Sequence, residues 1–260
     1  MLDLVDISTE LPSILEAQFT ELTHTPSEQL GEACEELSLF YRVAAIAALL
    51  LELDTDEFYH MLTRSALTRV YLLNQAPTKS KEGSRYCRIS RANTFFDAVA
   101  AERFDVAKRI VDLSPDSWAK KYEYEDDYCY VLFLHKLLIN DTDEEKRLIL
   151  NRFENALQGA PSPRYEICFS LFEVDEKQFE GPFSDLLDDW TEEIHFQERS
   201  ICRNEFEFAG ARHIFVEGLA LLRLAELIGI KTEEEYPYCP KEARIPMQKS
   251  FSDDSFLTAL

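Results

Sequence analysis

Apolar residues recur three and four positions apart along most of this chain, the spacing that lays a stripe on one face of an α-helix. Leu37, Tyr41, Ala44, Ala48 and Leu51 trace one such stripe. The pattern predicts about ten helices, near residues 10–23, 27–52, 55–74, 92–101, 103–113, 115–121, 126–140, 143–158, 164–199 and 204–229. Start signals support them. Thr25 with Pro26 and Glu28 reads as a capping box, and so do Asp54 with Glu57 and Thr142 with Glu145. Ser114 and Pro115 read as the cap and lead residue of the helix at 115–121, and Gly181-Pro182 reads as a break within 164–199.

The most apolar segment is "HIFVEGLALLRLAELIGI", residues 213–230. Arg223 and Glu226 interrupt it and share one strip of the helix. The apolar runs on either side fall far short of the ~20 residues that a membrane span requires. The segment therefore predicts a core helix, covered by neighbours and stopped by Gly229.

Short links between amphipathic helices predict an all-α fold of stacked antiparallel helical hairpins, α-solenoid or tetratricopeptide-like. One domain is expected over residues 1–248, with helical halves 1–76 and 90–242 joined by a basic loop, 77–91. That loop carries Lys79, Lys81, Arg85, Arg88 and Arg91 against Glu82. Tyr86, Cys87 and Ile89 give it an apolar anchor, so it should fold onto the body. Residues 249–260 form an expected flexible tail in which Phe251 and Phe256 are the side chains able to dock.

Composition narrows the function. Hydrophobic residues make up 46% of 260, enough for a large core. Only seven residues are glycine, which favours helices over many short strands. The net charge is −22, distributed as −10 over residues 1–76, +2 over 77–117, −11 over 118–200 and −3 over 201–260. The acid is thus spread over the chain. Such a field repels nucleic acid and anionic membranes and attracts cationic partners. The six cysteines form no metal-ligand spacing. The opening "MLDLVDISTELPS" has neither the basic region nor the apolar run of a secretory signal. A cytoplasmic chain with free thiols is expected.

No nucleophile elbow, P-loop or dinucleotide fingerprint is present, and no cofactor is expected. One catalytic alternative is a di-metal carboxylate site, built on the helical pairs Glu57 with His60 and Glu192 with His195. Glu16, Glu36, Glu52, Glu154 or Glu217 would have to complete it. Chance pairs are expected in so Glu-rich a chain, so no metal is the expectation. His135 and His213 fit hydrogen-bonded core or boundary positions. Three runs interleave carboxylates with aromatics: "YEYEDDY" at 122–128, "DLLDDWTEE" at 185–193 and "TEEEYPY" at 232–238. Rings supply contact area and carboxylates steer a basic partner, the composition of a protein-binding surface. A solvated helix face is the plainer alternative.

Three segments, in order, resemble one family. "RANTFFDAVAAERFDVAKRIVDLSPDSW", "SPRYEICFSLFEVDEKQFEGPFSDLLDDWTEEIHFQER" and "FEFAGARHIFVEGLALLRLAELIGIKTEEEYPYCPKEA" look like successive modules of the immunity protein 49 family of bacterial polymorphic toxin systems. The resemblance covers roughly residues 90–242; the N-terminal 75 residues are similar only as helices of like placement. It implies an all-α, non-enzymatic protein that binds and neutralises a cognate toxin. A basic toxin domain that acts on nucleic acid or nucleotides fits the charge. The expected contacts are Glu123, Tyr124, Glu125, Asp126, Asp127 and Tyr128 from the first run, and Asp188, Asp189, Trp190, Glu192 and Glu193 from the second. A helical scaffold for another basic protein or peptide is the second reading.

Overall fold

The structure, a computed structural model, describes residues 3–76, 84–251 and 256. Among them are eleven α-helices and no strand. They are α1 (Leu4–Leu22), α2 (Leu30–Ala47), α3 (Thr55–Gln75), α4 (Asn93–Ala100), α5 (Phe104–Leu113), α6 (Glu125–Leu138), α7 (Asp143–Leu157), α8 (Pro163–Glu173), α9 (Glu176–Arg199), α10 (Glu205–Ala211) and α11 (Val216–Leu227). The fold is all-α, as expected. Most helices pack on their neighbours in sequence, and α3 also packs on α4 and α5. The last helices return to the first half: α10 lies on α2 and α11 on α4. One apolar cluster runs from Leu4 to Phe256.

Helix α11 behaves as its composition requires. Gly218 to Ala225 are all buried, and Gly229, at φ 94, ends the turn that follows. Arg223 is buried too, and bonds Glu102 at 3.0 Å and Glu226 at 3.3 Å. Burial works against the charge on Glu226, but hydrogen bonds from Arg244 and Thr232 outweigh it and hold the carboxyl below its ordinary range. The expected polar strip is therefore a buried arginine paired with two carboxylates that reach the surface.

Several boundaries differ from the sequence expectation. Thr25 caps nothing: its hydroxyl donates back to the Glu21 carbonyl at 3.0 Å, and α2 starts at Leu30 without a side-chain cap. Asp54 and Thr142 do cap, accepting from Glu57 N at 2.9 Å and Glu145 N at 3.3 Å. Residues 115–121 are not helical, and Ser114 closes α5 instead. The expected helix 164–199 breaks at Val174, left-handed at φ 54, where Asp175 caps α9. Gly181-Pro182 does not break it. Pro182 offers no N–H to the Gln178 carbonyl, and the Ser170 hydroxyl of α8 donates to that carbonyl at 2.7 Å. The expected helix 204–229 is interrupted at Arg212–Phe215, where the Phe215 N–H bonds the Tyr238 carbonyl at 2.9 Å. His213 sits exposed in this turn and not in the core, and its Nε2 accepts from Arg212 Nε at 3.1 Å.

Lys79, Lys81 and Glu82 of the basic loop lie outside the described residues. Its later part lies on α2 and α3. The Tyr86 ring covers Gly31 so closely that a Cβ there would come within 2.5 Å of it. Buried Arg69 of α3 donates to the carbonyls of Tyr86 and Arg88. Of the tail, Phe251 packs beside His60 at 5.2 Å and Phe256 beside Phe19 at 5.3 Å. Residues 252–255 and 257–260 lie outside the described residues.

Two buried ionisable groups stand out. Asp97 of α4 is fully buried and accepts from Arg42 Nε of α2 at 2.7 Å and from the Ser65 hydroxyl of α3 at 2.5 Å. Burial pushes its carboxyl up, and Arg42 and Ser65 oppose that shift. His135 of α6 is buried beside Phe95, with ring centroids 4.5 Å apart, and its Nε2 has no partner among the described residues. Burial, helped by Arg69 and Lys136, lowers its pKa from 6.5 to about 3.

Asp97→Ala leaves the Arg42 charge without its counterion. It should cost about 3–5 kcal/mol, the range for breaking a buried pair from one side. Ser65→Ala should cost less, about 1.5–3 kcal/mol. Urea denaturation of the two variants measures both.

His135 folds neutral, so the unfolded chain binds the extra proton. Its contribution is complete above pH 6.5 and is lost as pH falls toward about 3. The slope is about 1.4 kcal/mol per pH unit inside that window. Unfolding free energies at pH 7, 6 and 5 should therefore fall less steeply for His135→Leu than for the parent chain.

Candidate functional site

The first acidic-aromatic run surrounds the start of α6. Three carboxylates, Glu125, Asp126 and Asp127, occupy its first turn, and no side chain caps it. Negative charge is stabilised there by the unpaired N–H groups and the helix dipole. The preceding segment is irregular and needs other support. Glu123, buried, accepts from Ala119 N at 3.0 Å and Ser90 N at 3.3 Å. Trp118 Nε1 donates to the Glu123 carbonyl at 3.3 Å, and the buried Tyr128 hydroxyl donates to the Asp116 carbonyl. Glu123 and Tyr128 thus serve the protein's own fold, and neither is presented outward.

Tyr124 points the other way, 78% exposed. It lines a cleft of about 640 Å³ between residues 118–126 and α7, together with Glu125, Asp126, Trp118 and Leu148. Glu125 bonds Arg152 of α7 at 2.7 Å. The Arg152 guanidinium lies over the Trp118 ring at 5.4 Å and over Tyr128 at 5.0 Å, a stack that fixes one wall of the cleft. Leu148 is 57% exposed. An exposed ring, an exposed leucine, an Asp126 with no ion pair among the described residues and a wall of oriented side chains make a surface suited to a protein partner.

Asp127 is turned to a separate network. It lies 3.8 Å from Arg164 of α8, which bonds both oxygens of Glu217 in α11 at 2.8 Å. The Tyr130 hydroxyl donates to the same carboxylate at 2.9 Å. Glu217 holds Arg164 well above the ordinary guanidinium range, and burial moves Asp127 up. This set joins α6, α8 and α11.

The second run lies on α9. Asp188, Asp189, Glu192 and Glu193 are exposed. Glu193 accepts from Gln197 at 2.7 Å, and the other three have no ion pair among the described residues. Trp190 is turned inward, stacked on Phe215 with centroids 4.4 Å apart. None of these residues lines the Tyr124 cleft. The third run is engaged in part: Tyr236 donates to Glu180 at 2.7 Å and Lys241 lies 3.6 Å from Glu235, while Glu233 and Glu234 are exposed and lend their backbone carbonyls to Arg244.

Sequence reasoning missed Trp118, Leu148 and Arg152. Leu148 carried a signal, because it falls beside the Ile149, Leu150 and Phe153 stripe that is buried. The metal alternative gains nothing. Glu57 is 3.6 Å from His60 Nδ1, the His60 Nε2 meets the Lys249 carbonyl, and His195 is exposed on α9. No group of three or more His, Cys, Asp or Glu positioned to hold a metal ion occurs among the described residues.

A family model described as Immunity protein 49 matches residues 52–243, about three quarters of the chain. The match runs from just before α3 to the short 3-10 helix Lys241–Arg244 that follows α11, and so reaches further toward the N-terminus than the three quoted segments do. No curated protein and no solved structure matches the chain. On the family match, which spans the candidate surface and the core helix together, the chain belongs to the immunity protein 49 family.

Proposed function

We propose that this protein neutralises a cognate toxin by direct contact in the cytoplasm, with the Tyr124 cleft as the principal contact surface and the α9 carboxylates as steering charge. The observation that carries the reading is the family match over residues 52–243. Membership implies a toxin partner and a role without chemistry. No helix of the described residues is long and apolar enough to cross a membrane.

The proposed partner is a basic toxin domain whose substrate is nucleic acid or a nucleotide. A toxin of that class presents cations to phosphate, and carboxylates held on a rigid helix can occupy the same cations. Tyr124 and Leu148 supply the apolar anchor and Asp126 a charged contact beside it. Asp188, Asp189 and Glu192 add to a net charge of −22 that accelerates encounter. Inhibition then follows from occlusion of the toxin's cleft or of its route for substrate.

Co-expression with the toxin encoded beside it should restore growth, and absence of rescue by the unaltered chain would sink the proposal. Tyr124→Ala should weaken the purified complex at least about 10-fold, as removal of an interface anchor does. It should leave the unfolding midpoint in place, because the side chain is exposed.

The steering role predicts a second result. The association rate should fall several-fold between about 20 and 150 mM salt. Replacing Asp188, Asp189 and Glu192 with their amides should reduce that dependence. Stopped-flow mixing measures both, and a rate indifferent to salt contradicts the role.

A further inference from the structure

A second cavity, of about 570 Å³, lies where α2, α3 and α4 meet the basic loop, away from the Tyr124 cleft. Its deep wall is rich in donors. Arg42 is pinned by its Nε to buried Asp97, and its two terminal nitrogens bond nothing else among the described residues. Arg69 is buried without a carboxylate in ion-pair range; it meets only the carbonyls of Tyr86 and Arg88, and its Nε has no partner. Thr94, 7% exposed, has a hydroxyl with no partner.

The first turn of α4 adds to this. Ala92, Asn93 and Thr94 line the cavity, and no side chain caps the helix. Its first N–H groups have no acceptor within the helix, and the positive end of the dipole faces the same space. A buried guanidinium with no counterion is unfavourable by several kcal/mol in general. A carboxylate in this cavity, which Arg69 also lines, would bring that guanidinium the missing charge and give acceptors to the Arg42 terminal nitrogens, the Thr94 hydroxyl and the α4 N–H groups.

The mouth has the opposite character. Glu32, Glu36 and Glu207 line it and are exposed, and none has an ion pair among the described residues. Glu35 is paired across to Arg91 at 3.0 Å. Phosphate-rich ligands are repelled by such a rim on a chain of charge −22. A carboxylate alone would leave the rim acids unanswered. One small molecule answers both ends: an amino acid with a cationic side chain.

We propose that this cavity is a binding site for a basic α-amino acid, its carboxylate held by Arg42, the Thr94 hydroxyl and the α4 N-terminus and its cationic groups facing Glu32, Glu36 and Glu207. The volume lies within the range of small-molecule sites, roughly 300–1,000 Å³. The site is independent of the toxin contact.

Calorimetric titration of the full chain with L-arginine tests it, alongside agmatine (which lacks the carboxylate), propionate (which lacks the cation) and inorganic phosphate. Saturable binding of L-arginine is expected, with each of the other three at least about 10-fold weaker. Thr94→Val should weaken L-arginine by about 3- to 10-fold, the effect of one hydrogen bond, and leave the unfolding midpoint unchanged or raised, because the hydroxyl has no partner in the free protein. Should that variant misfold, Glu36→Gln combined with Glu207→Gln carries the test on the exposed rim: L-arginine should weaken and propionate should not. No saturable heat at about 10 mM L-arginine with folded protein, equal binding of agmatine, tighter binding of phosphate, or indifference to the rim variants overturns the proposal.

Discussion

The Asp97 carboxylate is the constraint on which the first half of the molecule turns. It sits at zero exposure on α4 and takes hydrogen bonds from Arg42 of α2 and Ser65 of α3. Apolar packing is non-directional, so three helices with leucine and alanine faces can slide or rotate against each other at little cost. A buried carboxylate cannot: removed from its donors it becomes an uncompensated charge. The pair therefore selects one register for α2, α3 and α4. That register then sets where Tyr86 lies on Gly31, how Arg69 reaches the loop carbonyls, and where Arg42 presents its remaining nitrogens.

The same device recurs at the other junctions. Arg164 binds Glu217 with both donors and joins α8 to α11, and Tyr130 brings in α6. Arg223 and Arg244 meet at Glu226 and tie α11 to the turn beyond it. Helix α11 is apolar nearly all round, so by hydrophobicity alone it has many acceptable orientations in the core. Glu217 and Arg223, six residues apart on it, are satisfied in only one of them. Charge here orients what hydrophobicity merely buries.

The fold class was legible because it rests on local signals. Spacing marks each helix; Asp54 and Thr142 mark two starts, and Gly229 one stop. The errors came where a local signal had a non-local competitor. Thr25 has the residue type of a cap, but its hydroxyl finds the Glu21 carbonyl first. Gly181-Pro182 has the form of a break, but Ser170 of another helix takes the orphaned carbonyl. Ser114-Pro115 reads as a helix start, yet the following segment is organised by Glu123 and Tyr128 from further along the chain. The candidate surface was legible only in half. Tyr124, Glu125 and Asp126 share a cleft, but Glu123, Asp127 and Tyr128 on either side of them turn to the protein's own contacts, and sequence spacing across a helix start cannot tell the two sets apart. Leu148 and Arg152, from another helix, have no marker beyond being out of step with the buried stripe.

The carboxylates thus separate into two kinds of charge. Glu123, Asp127, Glu217 and Glu226 are engaged by backbone N–H groups, arginines or tyrosines and belong to the fold. Asp126, Asp188, Asp189 and Glu192 face outward without an ion pair among the described residues. Those charges repel one another and lower the stability of the compact state. Charges engaged in the fold explain themselves by the contacts they make. Outward acids make no such contact, and a protein that only needed solubility could mix both signs over its surface. A surplus of one sign, held on rigid helix faces and beside exposed Tyr124, is a cost in the free protein that a basic partner would offset on binding. This is the physical reason to look for a partner's contact there, and not at the engaged carboxylates such as Glu123 and Asp127 that the sequence made look equally available.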